Sequence, residues 1–217
     1  MSDSHSSEKV AEKETGRLES FSDGVFSIAM TLLILELTVP VVTGTISSEA
    51  LLGALMAQWP SYLAFVTSFA TVLIMWVNHH GIFRLVRRTD STLLITNGFV
   101  LLLVTFVPFP TALVARFLRT PAASTACAVY AGTFVIIDLA YALLLMAARR
   151  NGGRLLAPNA GPEIKQRLRD CFVVGLPLYL LATLVAPIAP WLTIAICTML
   201  WIFWSVSRDG KCDAFGR

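Results

Sequence analysis

Six stretches of the chain are almost uninterrupted in apolar residues: 18–38, 55–78, 91–114, 122–148, 171–187 and 189–206. Each is bounded by charged residues, glycine or proline, and each is close to the roughly 20 residues that a helix needs to cross a bilayer. The pattern predicts an all-α membrane protein with six transmembrane helices per chain. Only Ala186-Pro-Ile-Ala-Pro190 separates the last two runs, and its prolines predict a tight hairpin in place of one long helix. Residues 1–16, MSDSHSSEKVAEKETG, show no apolar periodicity and read as a disordered cytoplasmic tail; they do not form a secretory signal. A six-helix transmembrane domain is expected over 17–207, followed by a cytoplasmic C-terminal tail over 208–217. The one long connection, 149–170, carries Gly and Pro in its first half and a short basic helix in its second, and reads as a solvated basic linker.

Composition agrees with the pattern. Apolar residues make up 56% of the chain and charged residues 14%, against about 25% charged in an ordinary soluble domain. The net charge of +3 is small, but its distribution is lopsided. Fifteen of the seventeen Lys and Arg residues fall on one side of the six-span map: the N-terminal segment, the 84–88 and 149–169 loops, and the C-terminus. Only Arg116 and Arg119 fall on the other. Basic residues accumulate in cytoplasmic segments, so both termini are expected in the cytoplasm, and the positive charge reflects topology, with no nucleic-acid partner implied. Cys127, Cys171, Cys197 and Cys212 show neither paired nor metal-type spacing, so neither a disulfide framework nor a zinc site is expected. No long internal repeat is evident, which disfavours a pore built inside one chain.

Ionisable groups within the spans are costly to desolvate, so each is a functional candidate. Asp23 lies about 9 Å of helical rise beyond Arg17, in the cytoplasmic half of the first span. The second span ends in MWVNHHGIF, which places Asn78, His79 and His80 at that depth. Ser22 and Asp23 can therefore bond to Asn78 and a histidine, with helix docking as the simplest role and a part in ion passage as the other. Asp138 needs a partner that the sequence does not name; Asn97 or a water is one possibility. Glu36, near the outer end of the first span, is either an attractor of cations or an ordinary interfacial carboxylate. On a helical wheel with Ile28 at zero, Thr31, Leu32 and Leu35 fall at about −60°, +40° and −20°, and Asp23 at about −140°. Periodicity alone leaves that stripe open to lipid or core packing.

Arg17, Phe21-Ser22-Asp23 and the Thr31–Glu36 segment TLLILE resemble the first helix of the endolysosomal potassium channel family, transmembrane protein 175. The end of the second span, with Trp76, Asn78, His79 and His80, is similar to that family's as well. Bacterial members resemble this chain in length and span number, whereas the animal proteins carry two fused six-span halves. The resemblance implies a homotetramer in a bacterial inner membrane, with four first helices lining a potassium-selective pore and no cofactor or metal beyond permeating potassium. It implies an apolar constriction at Ile28, with Leu32 and Leu35 on the same face and Thr31 adding hydroxyls, in place of a TVGYG carbonyl filter. Arg17, Phe21, Ser22, Asp23, Trp76, Asn78, His79 and His80 would by the same resemblance form a structural network.

Two other classes compete. A proton-conducting channel or proton-coupled transporter could use Asp23, Asp138 and the histidines, although no inverted repeat or broken-helix pair supports a transporter. A haem or metal enzyme would need His79 and His80 on one ligand, yet adjacent helical residues point about 100° apart.

Overall fold

The structure, a computed structural model, describes residues 2–42 and 44–212, with side chains described over 15–42 and 44–204. It is all-helical: α1 Ser2–Leu32, α2 Ser48–Ala57, α3 Trp59–Phe83, α4 Ser91–Phe106, α5 Pro108–Phe117, α6 Ala123–Gly153, α7 Gly161–Asp170, α8 Leu176–Val185 and α9 Pro190–Cys212. Among the described residues, five helical units are long and apolar enough to cross a membrane: Thr15–Glu36, Trp59–Phe83, Ser91–Phe117, Ala123–Gly153 and Gly161–Val185. The described apolar part of α9, Pro190–Trp204, is shorter. It follows α8 after a turn at the proline-bearing segment that the sequence marks as a hairpin.

Several boundaries differ from the apolar runs, each for a local reason. The second run begins inside a separate short helix, α2, capped by Ser47, whose Oγ accepts from the Ala50 N–H at 3.1 Å. Pro60 then stands in the first turn of α3, where its missing N–H costs nothing. Pro108 and Pro110 divide the third unit into α4 and α5 without ending it. The fifth unit starts ten residues before the expected 171, because α7 runs directly into α8 through a π-helical segment, Cys171–Gly175. The backbone of α1 is helical from Ser2, through the stretch expected to be a tail.

The apolar effect that drives soluble folding is weak between helices in lipid, so close approach and internal hydrogen bonds must hold the bundle. The hub is α6, which packs against α4, α5, α7, α8 and α9. Its buried Ala126, Ala131, Ala140, Ala142, Ala147 and Ala148 let neighbouring backbones come near. Of its most apolar window 67% is buried, against 22% for α1, so α1 lies at the periphery of the chain with most of its surface uncovered. Polar groups tie the other helices to one another. Tyr141 Oη donates to the Met75 carbonyl at 2.8 Å, Thr111 Oγ1 lies 2.7 Å from Ser68 Oγ, and Thr193 Oγ1 donates to the Ala182 carbonyl at 2.9 Å.

The π segment answers the question of Asp138. Its carboxyl is hydrogen-bonded by the Cys171 side chain, not by Asn97, and it packs against Gly175. A methyl group at Gly175 would meet Asp138 Oδ1 at 2.5 Å and Cγ at 3.0 Å. Glycine is therefore required by the close approach of α6, and the wider turn brings Gly175 to face it. Gly175→Ala is expected to destabilise the protein by about 1–3 kcal/mol through overpacking, measured as a lower thermal midpoint in detergent. In an Asp138→Ala background the penalty of the added methyl should largely vanish; an equal penalty in both backgrounds would place the strain elsewhere.

Candidate functional site

The helical repeat of α1 divides its surface into two faces. Ser22, Phe26, Ala29 and Leu33 recur at helical spacing and are buried against α3 and α4. Arg17, Phe21, Gly24, Ile28, Thr31, Leu32 and Leu35 make up the opposite, exposed stripe, with Ile28 59%, Leu32 40% and Leu35 67% exposed. The α-helix ends at Leu32 and gives way to a 3₁₀ turn over Leu33–Glu36. At 3₁₀ pitch, residues three apart eclipse, so Leu35 stacks directly over Leu32 instead of falling about 60° behind it. Thr31 sends its hydroxyl to the Ile28 carbonyl at 2.9 Å.

The buried face is held by a chain of directed bonds. Ser22 Oγ donates to the Leu18 carbonyl at 2.9 Å and accepts from Asn97 Nδ2 at 3.0 Å. Asn97 Oδ1 lies 2.6 Å from His79 Nε2. Because the amide nitrogen is committed to Ser22, the amide oxygen must accept, so His79 carries its proton on Nε2. The imidazole lies between the rings of Phe26 and Phe83, with centroids 5.2 and 4.6 Å away. Beside this chain, Trp76 Nε1 donates to Asp23 Oδ1 at 2.8 Å. His80 stacks on Trp76 and brings Nδ1 within 2.8 Å of Glu19 Oε1, an ion-pair distance when the ring is protonated.

Thus Ser22, Asp23, Trp76, His79 and His80 come together at one level between α1, α3 and α4. Asn78 stands apart, its Oδ1 buried without a hydrogen-bond partner among the described residues. Arg17 and Phe21 lie on the exposed stripe, and Arg17 makes no ion pair with a described residue. Asn97, which joins Ser22 to His79, and Glu19 were not read as members of this group. The signal for Asn97 was its position one helical turn and a half into α4, at the depth of Ser22. Among the described residues no three His, Cys, Asp or Glu side chains converge as a metal site.

These features define a multi-pass helical membrane protein whose first helix is docked by a polar cluster on one side and leaves an apolar stripe uncovered on the other. The chain belongs to the TMEM175 family. The family model for the endosomal/lysosomal potassium channel TMEM175 matches residues 17–108. A potassium channel of Chamaesiphon minutus is 46% identical over 91% of this chain and 97% of its own. One of Streptomyces collinus is 41% identical over 90% of this chain and 93% of its own. The crystal structure of a lysosomal potassium-selective channel TMEM175 homolog from Chamaesiphon minutus superposes with a TM-score of 0.81 at 44% identity, covering 90% of this chain and 98% of that one.

Asp23→Ala leaves the Trp76 indole N–H unpaired, and Trp76→Phe leaves the Asp23 carboxylate unpaired, each at an expected cost of about 1–3 kcal/mol. The double variant is expected to cost clearly less than the sum of the two, as read by thermal midpoints of the purified protein. Strict additivity would mean that the two side chains do not depend on one another.

Proposed function

We propose that the chain is a potassium-selective channel that conducts passively through a pore on the axis of a homotetramer, lined by four copies of α1. The observation that carries this reading is the exposed stripe of Ile28, Thr31, Leu32 and Leu35 on a helix whose opposite side, at Ser22, Phe26, Ala29 and Leu33, is buried against the chain. With this helix at the periphery of the chain, four copies would bring the stripe to a common axis and close a ring. The names of the Chamaesiphon and Streptomyces relatives support potassium as the ion. The channel domain spans 17–207 with α9 as the sixth span, and the basic segments at one end of the bundle support cytoplasmic termini in a bacterial inner membrane. Arg17, Phe21, Ser22, Asp23, Trp76, Asn78, His79 and His80 are assigned to a structural group that orients α1.

In this reading Ile28 forms the narrowest ring, with Leu32 and Leu35 extending the apolar wall and Thr31 adding a hydroxyl layer. An apolar neck stays dry when narrow, and an ion crosses when the neck admits part of its hydration shell. Potassium holds its shell less tightly than sodium, so partial stripping favours potassium without carbonyl ligands. Proton conduction is a second reading. It is favoured by the mouse relative named endosomal/lysosomal proton channel TMEM175, which matches 48% of this chain and 22% of its own length at 37% identity.

Ile28→Asn is expected to raise conductance and move the potassium-to-sodium permeability ratio toward that of bulk water, because four amides would wet the neck. Leu102→Asn, on the exposed face of α4, should leave the ratio unchanged. Bi-ionic reversal potentials in planar bilayers measure both; a wild-type ratio in Ile28→Asn sinks the assignment of the pore face. Flux in liposomes driven by a proton gradient alone, at fixed potassium, would establish the second reading.

A further inference from the structure

At the basic end of the bundle, two loops nearly 70 residues apart are fastened by their backbones. The Arg87 and Arg88 N–H groups both donate to the Leu155 carbonyl, at 2.8 and 3.2 Å, and the Ala157 N–H donates to the Leu85 carbonyl at 2.8 Å. Val86 and Leu156 face each other in an isolated antiparallel bridge. Thr15 of α1 adds a bond from its Oγ1 to the Arg87 carbonyl at 3.3 Å. The chain can reach this pairing because α6 ends in a left-handed turn at Asn151, Gly152 and Gly153, with φ of 52°, 71° and 80°. That turn leaves Arg150 beside the start of α4, where its Nη1 donates to Thr92 Oγ1 at 3.0 Å.

The consequence is a corner in which Arg88 and Arg154 flank the paired backbones and Arg150, with Arg149 before it in the chain, stands beside the first turn of α4; all four are exposed. Among the described residues none of these four has an ion pair. The carboxylate nearest them in sequence, Asp90, caps α4, with one oxygen accepting from the Leu93 N–H at 2.8 Å, and makes no ion pair with a described residue. Two basic residues of the neighbouring helix α7 do have carboxylate partners: Arg167 is paired with Glu163 at 2.6 Å, and Arg169 lies 3.9 Å from Asp170. Generic positive-inside charge needs no such gathering. Deeper along the same two helices, which pack on each other, apolar side chains are exposed: Leu94 and Ile95 on α4, and Leu143 and Met146 on α6. A cluster of guanidiniums at headgroup depth above an apolar surface matches an amphiphile with a phosphate at one end and acyl chains at the other.

We propose that this corner, between the 84–90 loop, the 149–157 turn and the first turn of α4, binds the phosphate headgroup of an anionic phospholipid, with the acyl chains along α4 and α6. Each guanidinium offers several donors, so Arg150 can keep its bond to Thr92 while contacting a phosphate oxygen. The site is separate from the proposed pore face, and its test does not depend on conduction.

The experiment is a thermal-shift titration of the full chain in neutral detergent with phosphatidylglycerol, phosphatidylcholine or glycerol 3-phosphate. Phosphatidylglycerol should stabilise the protein saturably, phosphatidylcholine should not, and glycerol 3-phosphate should give no saturable shift at matched concentration. R88Q/R150Q/R154Q is expected to raise the half-saturating phosphatidylglycerol fraction at least about tenfold, since each basic group near an anionic surface contributes on the order of 1 kcal/mol. R116Q/R119Q, at the other end of the bundle, should match wild type. R88Q and R154Q, neither of which removes a side-chain hydrogen bond, should each raise half-saturation about threefold, and they decide the matter if the triple variant does not fold. Equal responses to the two lipids, wild-type half-saturation in the arginine variants, or saturable stabilisation by glycerol 3-phosphate would overturn the proposal, the last by making the ligand a soluble phosphate.

Discussion

A polar group in hydrocarbon has no water to turn to, and the arrangement of α1 follows from that constraint. Ser22 and Asp23 cannot face lipid at tolerable cost, so they turn toward Asn97 and Trp76, and in doing so fix the rotation of the whole helix. Two adjacent residues bonded to two different helices leave almost no rotational freedom. Phe26, Ala29 and Leu33 then fall into the chain's interior, and Ile28, Leu32 and Leu35 are carried to the outside. The exposed stripe is thus a consequence of where the polar partners stand, since nothing in the chain holds the stripe itself.

The remainder of the bundle supplies fixed positions for those partners. Asn97 and Trp76 are useful as anchors only if α4 and α3 are themselves held, and α6 does this for α4 by close alanine packing while Tyr141 reaches across to the Met75 carbonyl. The Asp138 carboxyl and the Gly175 backbone approach one another closely enough that a side chain at 175 would have to displace the carboxyl. The paired loops at the basic end join the α3–α4 connection to the α6–α7 connection, and Thr15 extends that joint to α1. Rigidity is concentrated on the side of α1 that touches the chain.

Much of this was legible in the sequence because the bilayer imposes a coarse rule: apolar runs of sufficient length become helices, and polar residues within them find partners. The runs located the helices, and the Pro-Ile-Ala-Pro stretch located the last hairpin. Less legible was anything decided by a contact between distant segments. Asp138 finds Cys171 through a π turn that no local pattern announces, and His79 bonds Asn97 on a third helix instead of a side chain on α1. Asp23 meets Trp76, one turn before His80, because α1 and α3 run antiparallel, so that His80 falls one turn back along α1, beside Glu19. The break between α2 and α3 was not marked, because apolar residues continue on both sides of Gln58 and the run from 55 suited one helix. The pitch change after Leu32 was invisible for the same reason: leucine and isoleucine suit either helix type.

That pitch change sets where Leu35 stands relative to Leu32. Three residues advance about 6 Å along a 3₁₀ axis but about 4.5 Å along an α-helix, and they differ by about 60° in rotation. An exchange of one pitch for the other would turn Leu35 by about 60° relative to Leu32 and shift it about 1.5 Å along the axis.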